Sequence, residues 1–394
     1  MEFRDCQFLD CAKSKENFVG DPEVNKGLGG YFVGNGTSEL IFSNCVFRGN
    51  RVFNSQLKYI RGAGAYFANY AQVVMNDCIF AHNGVSFTSQ GKNLTFQEYK
   101  DGGAFSAENS KIVANRCQFL ANNLLSNNNG NFLPSSIVML NGSVCGGSVF
   151  TNCLWAGNQV SKCNTDSYGI PNNAGMLSIT TSAAADPVDV VNCTYYCNLV
   201  DAQNSPVSIN VFAGKLNAVN SIFYGAVTGI YQNVAKQIYV HSGASADISN
   251  CLIEEDEDVG CENGGTLVMN DCLFNQDPNF VGTELWNCLN RRISVSNYSN
   301  TDTRKKTYIN HDNFAIYDMT NLNVHVKSSA GYYDENTGEL VTFRRESSPA
   351  VDAGKKLGEI KEREPHGNKV NLGFYGNTPW ATLSARHGLS VIVR

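Results

Sequence analysis

A four-residue phrase of Asn or Asp, Cys, any residue and an aromatic returns throughout this chain, and it restricts the possible folds more than any other feature. It reads Asp5-Cys6-Gln7-Phe8, Asn44-Cys45-Val46-Phe47, Asp77-Cys78-Ile79-Phe80, Asn152-Cys153-Leu154-Trp155, Asn192-Cys193-Thr194-Tyr195 and Asp271-Cys272-Leu273-Phe274. Variants stand at Arg116-Cys117-Gln118-Phe119, Asn220-Ser221-Ile222-Phe223 and Asn250-Cys251-Leu252-Ile253. Nine copies at a mean step of about 33 residues are the signature of a solenoid, in which each repeat buries its apolar side chains against its neighbours.

The positions five and three before each Cys are mostly apolar or small, as in Leu40/Phe42, Val73/Met75, Ile112/Ala114, Val188/Val190 and Leu267/Met269. With the Cys and the aromatic they form an inward column of period two, the period of a strand, broken at the Asn or Asp into two short strands. A third strand is expected upstream, where Gly64-Ala65-Tyr66-Phe67 and Gly103-Ala104-Phe105-Ser106 stand at the same distance before the next Cys. No window shows sustained helical periodicity. The prediction is an all-β, right-handed parallel β-helix with about three strands per coil. Its repeats occupy 1–282, opening in mid-coil as a chain cut from a longer one would, and 283–394 form irregular last coils and a C-terminal cap. Asn50, Asn83, Asn122, Asn158 and Asn198, each three places after an aromatic, predict a ladder of stacked amides at one turn. Ala226, Asp256 and Asp277 replace that Asn later, so the later coils are expected to be less regular.

Two resemblances accompany this pattern. Gly102-Gly103-Ala104-Phe105 with Phe119-Leu120-Ala121-Asn122, and Gly64-Ala65-Tyr66 with Phe80-Ala81-His82-Asn83, resemble the repeat of polymorphic outer-membrane protein passengers. The tail is similar to the ending of secreted bacterial right-handed β-helix repeat proteins of the pectin-lyase-like fold. The residues that carry this are Asp277-Pro278-Asn279-Phe280-Val281, Ser347-Ser348-Pro349-Ala350-Val351-Asp352-Ala353-Gly354 and the run from Glu364-Pro365-His366-Gly367 to Gly376-Asn377-Thr378. The resemblance implies a secreted or cell-surface setting and a capping role for the tail, and it names no reaction.

A net charge of −6 and a pI near 5.6 argue against nucleic acid as a partner, which calls for a basic face. No run of about 20 apolar residues is present to span a membrane. Of 14 cysteines, most sit in the repeat column as small apolar residues. Stacked at about 4.8 Å, their Cβ atoms are too far apart and too parallel for a disulfide, which prefers about 3.8 Å. Free buried thiols are therefore expected in the column, with a local pair such as Cys153 and Cys163 left open.

Catalytic signatures of β-helix enzymes are largely missing. Asn164-Thr165-Asp166 and Asn300-Thr301-Asp302 match one piece of a polygalacturonase pattern, but no adjacent Asp pair and no Gly-His-Gly is present, and hydrolysis needs paired carboxylates. The Trp-Ile-Asp-His of pectate lyases is absent too. The nearest raw material is the run Glu254-Glu255-Asp256-Glu257-Asp258. If extended, it places Glu255 and Glu257 on one face and Glu254, Asp256 and Asp258 on the other, so that calcium finds two or three oxygens. The same run reads as a solvated turn, and that reading is preferred. Arg291-Arg292, Arg304-Lys305-Lys306 and Arg344-Arg345 offer charge for an anionic glycan, and six histidines show no metal-ligand spacing. Among the aromatics outside the repeat column, Tyr66, Phe105, Trp286 and Trp380 are the ones not assigned to the core. Asn35-Gly36-Thr37, Asn93-Leu94-Thr95 and Asn141-Gly142-Ser143 fit the glycosylation sequon. The functional expectation is a non-catalytic scaffold for adhesion or for binding a polysaccharide or cell-surface ligand, with no cofactor required. The alternative is a polysaccharide lyase or glycoside hydrolase on an acidic polysaccharide, with calcium at Glu255, Asp256, Glu257 and Asp258.

Overall fold

The computed structural model describes residues 1–13, 25–53, 59–87, 98–126, 132–134, 136–163, 175–202, 206–228, 236–282, 322–344 and 346–385. A full coil visits five parallel sheets in turn, named A to E here. Sheet A holds the nine strands before each phrase, from Glu2–Arg4 to Thr266–Asn270, and sheet B the nine that carry the aromatic, from Gln7–Leu9 to Leu273–Phe274. Sheet E holds eight upstream strands, from Tyr31–Val33 to Val259–Cys261. These are the three strands expected per coil of a right-handed parallel β-helix. Two further sheets lie between B and E in chain order: C, with seven strands from Ala12–Lys13 to Val227–Thr228, and D, with four from Asn25–Lys26 to Phe132–Pro134. Among the described residues sheet C stops at the coil where Ala226 takes the place of the ladder Asn, which is the expected loss of regularity.

The phrase begins with Asn or Asp for a conformational reason. Every one of its first residues, Asp5, Asn44, Asp77, Arg116, Asn152, Asn192, Asn220, Asn250 and Asp271, has φ between 50° and 53°. This left-handed corner turns the chain from sheet A into sheet B, and Asn and Asp enter it at less cost than other residues with a Cβ. Arg116 is the exception, and its guanidinium forks onto Asp77 one coil away at 2.7 and 2.6 Å.

Inside the corner the columns stack as expected. Phe8, Phe47, Phe80, Phe119, Trp155, Tyr195 and Phe223 form one continuous pile, with successive centroids 4.1 to 5.5 Å apart. The Cys column is thiol rather than disulfide, with Cys45, Cys78, Cys117, Cys153, Cys193 and Cys251 all free and buried. Each sulfhydryl donates to main-chain carbonyls, as Cys117 does to Met75 and Asn115 at 3.4 and 3.6 Å. Because Cys153 is free, it does not pair with Cys163. The ladder Asn50, Asn83, Asn122, Asn158 and Asn198 is buried; from Asn83 on, each amide oxygen accepts from the backbone and side-chain nitrogens of the Asn one coil before it, and Asn50 Oδ1 accepts from Cys11 N.

One register differs from the reading by motif. The common distance to the next Cys sets Tyr66 against Phe105, yet sheet E pairs Ala65 with Phe105 and Tyr66 with Ser106. The coil of Tyr66 spends one more residue between sheets E and A, since Val73 pairs with Ile112. A one-residue slip exchanges the two faces of a strand, so Phe105 points into the core and Tyr66 out of it.

The C-terminal residues 322–385 add no strand to the five sheets. They lie along the outer face of sheet B and cover the solenoid from the side. Leu120, Leu154, Tyr196, Ile222 and Leu252, which face outward on sheet B, pack with Phe280, Val324, Val326, Ala350, Leu372 and Phe374. The polar seam comes from the repeat phrase itself. Asn152 Nδ2 donates to the carbonyls of Phe374 and Gly376, Asn192 Nδ2 to that of Gly376, and Asn220 exchanges two bonds with the backbone of Lys355. Within the segment, His325 is sandwiched between Tyr332 and Tyr375 at 3.9 and 3.5 Å. Burial pulls its imidazole down to about 3, so it is neutral there.

Candidate functional site

The acidic run is built as a turn and not as an extended segment. Asp256–Asp258 form one turn of 3-10 helix, with Glu255 and Asp258 capping it reciprocally. Glu254 Oε2 accepts from the amides of Gly225 and Ala226 at 2.9 and 3.1 Å. It thereby supplies the acceptor that the ladder Asn supplies in earlier coils. Asp258 is buried and accepts from Glu255 N at 3.3 Å, while Glu255, Asp256 and Glu257 are exposed. Among the described residues no three His, Cys, Asp or Glu side chains are grouped to hold a metal ion. Three of the five carboxylates, those of Glu254, Glu255 and Asp258, thus accept from backbone amides.

Burial, followed by the charge of Glu254, pushes the Asp258 carboxyl up to about 7. A carboxyl raised in the folded state binds more protons folded than unfolded, so its contribution to stability is full below the ordinary Asp range and is lost as pH rises through about 7. Asp258→Asn keeps an acceptor for Glu255 N and removes the titration. The expected outcome is a melting temperature about 2–4 °C above wild type at pH 8 and unchanged at pH 4, read by circular dichroism.

A second constellation gathers side chains from successive coils on the outer side of sheets D and E. Lys26 Nζ lies 3.1 Å from Tyr66 Oη and 4.7 Å above the ring. The Tyr66 hydroxyl donates to Glu108 Oε2, which also accepts from Arg61 Nη1 at 2.7 Å. Tyr31 stacks on Tyr66 with centroids 5.6 Å apart and planes 7° from parallel, and it is 57% exposed. Burial works to raise the Glu108 carboxyl, but the Tyr66 hydroxyl and the charges of Arg61 and Lys26 outweigh it and hold it below its usual value. Burial first, and Glu108 second, push the Tyr66 hydroxyl well above the ordinary tyrosine range. Near neutrality Glu108 is therefore ionised and Tyr66 protonated, so the pair is a fixed donor and acceptor with no proton poised for transfer. What it offers is a stacked pair of rings, the inner one with an ammonium over it, on a rigid sheet.

Of this cluster only Tyr66 stands out in the sequence. Lys26, Arg61 and Glu108 are 40 to 47 residues from their partners, a separation set by coil length and not by a local motif. Aligning Tyr31 with Tyr66 through sheet E is the signal that exposes it.

On the last coils of sheet E, His241 Nδ1 lies 3.0 Å from Glu262 Oε1, and Glu262 Oε2 accepts from Ser242 N. Phe212 and Tyr239 flank the ring at 5.1 and 4.9 Å, and Nε2 is buried without a partner. Burial lowers this imidazole despite the opposing pull of Glu262.

The remaining sequence candidates divide simply. Phe105 is core, Trp380 is half-buried, and Asn35-Gly36-Thr37 and Arg344 are exposed. Arg291, Arg292, Arg304, Lys305, Lys306, Arg345, Trp286 and Asn93-Leu94-Thr95 lie outside the described residues, as do Asn164-Thr165-Asp166 and Asn300-Thr301-Asp302. Among the described residues no helix is long and apolar enough to cross a membrane. Comparison with known proteins found no matching family model, curated protein or solved structure.

Proposed function

We propose that this chain is a secreted or cell-surface β-helix scaffold that binds an acidic glycan without cleaving it, using the platform of Tyr31, Lys26, Tyr66, Arg61 and Glu108. The observation that carries the reading is the parallel stack of Tyr31 on Tyr66, with the Lys26 ammonium against the Tyr66 hydroxyl and over its ring. Sugar rings stack their C–H faces on such rings, and an ammonium at the edge favours a carboxylated sugar over a neutral one. The sheets hold these groups in place before the ligand arrives, which limits the entropy lost on binding.

The rival reading is a lyase or hydrolase, favoured by one observation: the unpartnered Nε2 of His241, whose other nitrogen is oriented by Glu262, in the manner of a general base. The two separate in one assay. Fluorescent oligogalacturonate and a neutral cello-oligosaccharide are titrated against wild type and Tyr31→Ala, with and without calcium, while released reducing ends are measured. The expected result is binding of the acidic oligomer alone, about tenfold weaker in Tyr31→Ala (~1.4 kcal/mol), and no new ends. Release of new ends that is lost in His241→Ala would establish the enzyme instead.

A further inference from the structure

The C-terminal segment carries a charged group that neither the fold nor the platform uses. Arg363 is exposed, and its guanidinium carbon lies 4.5 Å from the ring centre of Tyr333 and 5.0 Å from that of Trp380. Beyond these two rings it has no bonded partner among the described residues, so no described group takes up its five N–H donors. The nearest acidic residues in sequence are engaged elsewhere. Glu364 pairs with His366 Nε2 at 3.0 Å, and Glu362 is buried, accepting from the amides of Asn371 and Asn377 at 2.7 and 2.8 Å.

The three residues come from three stretches of chain that the backbone ties together. Tyr333 sits in the hairpin of Tyr332–Tyr333 with Leu340–Val341. Arg363 follows Lys361, whose amide donates to Asn377 Oδ1 at 2.9 Å, and Glu362, anchored as above. Trp380 is fixed by its amide on Thr378 Oγ1 at 3.2 Å, and the chain beyond it returns to both other stretches through Leu383 N on Gly331 O and Ser384 N on Pro365 O. A cation whose stem and plane are set by two rings loses little freedom when it binds, and a planar guanidinium matches the two oxygens of a carboxylate.

The geometry points to a second ligand site, in which Arg363, framed by Tyr333 and Trp380, takes the carboxylate of a uronic acid residue while the sugar ring rests against an aromatic face. It extends the glycan-binding reading to a separate part of the molecule and does not depend on the Tyr31 platform. The bland role for the same contacts is a staple that only holds the segment together.

Trigalacturonic acid and its fully methyl-esterified form are the probes, titrated by calorimetry into full-length wild type, Tyr31→Ala, Arg363→Ala and Arg363→Lys, with a melting curve for each. Arg363→Lys keeps a cation against the rings, so it guards against loss of folding. The expected result is that Tyr31→Ala retains binding of the acid form at this site. In the Tyr31→Ala protein, adding Arg363→Ala or Arg363→Lys should weaken it about tenfold or more, because the bidentate fork is lost, and the ester should bind Tyr31→Ala no better than the acid form binds the protein with both Tyr31→Ala and Arg363→Ala. Unchanged affinity of Tyr31→Ala for the acid form when Arg363→Lys and Arg363→Ala are added in folded proteins, or equal affinity of Tyr31→Ala for acid and ester, overturns the site. Loss of all binding in Tyr31→Ala with Arg363 intact also overturns it and leaves the platform standing. A platform that fails shows instead as unchanged binding in Tyr31→Ala with the Arg363 effect preserved.

Discussion

Asn122→Ala is expected to destabilise the solenoid by about 4 kcal/mol, because it orphans several buried polar groups at once. Asn122 Oδ1 accepts from the backbone and side-chain nitrogens of Asn83 at 3.1 and 3.0 Å, and its Nδ2 donates to Phe80 O and Asn158 Oδ1 at 2.8 and 3.0 Å. All four bonds go with the side chain, and the space left is fully buried. The backbone amide of Asn122 still reaches Asn158 Oδ1, which keeps the loss below the sum of four separate deletions. The control is Asn115→Ala. Asn115 also bonds an Asn one coil away, Asn76 Oδ1 at 2.9 Å, but from the half-exposed outer face of sheet A. Water replaces that partner, so the expected cost is below about 0.5 kcal/mol. Urea denaturation of the two variants side by side measures the difference. Equal losses would mean that the inner ladder is not what holds the turn.

Trp155→Ala should cost about 3–5 kcal/mol, the usual range for deleting a large buried aromatic. The ring is inaccessible to solvent and lies between Phe119 at 4.1 Å and Tyr195 at 5.1 Å. Its position makes the effect more than local. In a solenoid each coil is stabilised chiefly by the coils beside it, and Trp155 belongs to the middle member of the nine-stranded sheet B. Opening a cavity there weakens both of its interfaces, so wild type is expected to unfold in one denaturant transition and the variant in two. Hydrogen exchange should show protection lost first around Leu154–Ala156 and the adjoining strands. A single transition with an unchanged m-value would show that coupling between coils reaches further than the nearest neighbour.

These two side chains belong to the part of the protein that its sequence states openly. The Asn, the Cys and the aromatic recur because every coil needs a left-handed corner, a small inward residue and a ring to stack. Each of those demands is local to one coil and repeats with it. The Cys column as thiols, the amide ladder and its end at Ala226 follow from the same reasoning. Sheets C and D were not legible, because their strands are as short as two residues and carry no phrase of their own. The acidic run was legible as a feature but not as a geometry. Glu254 faces inward only because the preceding coil leaves the amides of Gly225 and Ala226 in want of an acceptor.

What the tertiary structure alone decided are the contacts that cross coils or leave the solenoid. Tyr66 turns outward because its coil carries one extra residue, a shift invisible when aromatics are aligned on aromatics. Lys26, Arg61 and Glu108 meet around it at separations set by coil length. Asn152 holds the carbonyls of Phe374 and Gly376 from 222 and 224 residues away. The sequence by itself determined what one coil must be, since strand alternation and backbone sterics act over a few residues. Which coil residues become neighbours, and where the last segment lies, depends on coil lengths and on the packing of surfaces far apart in the chain, and only the folded structure brings these together.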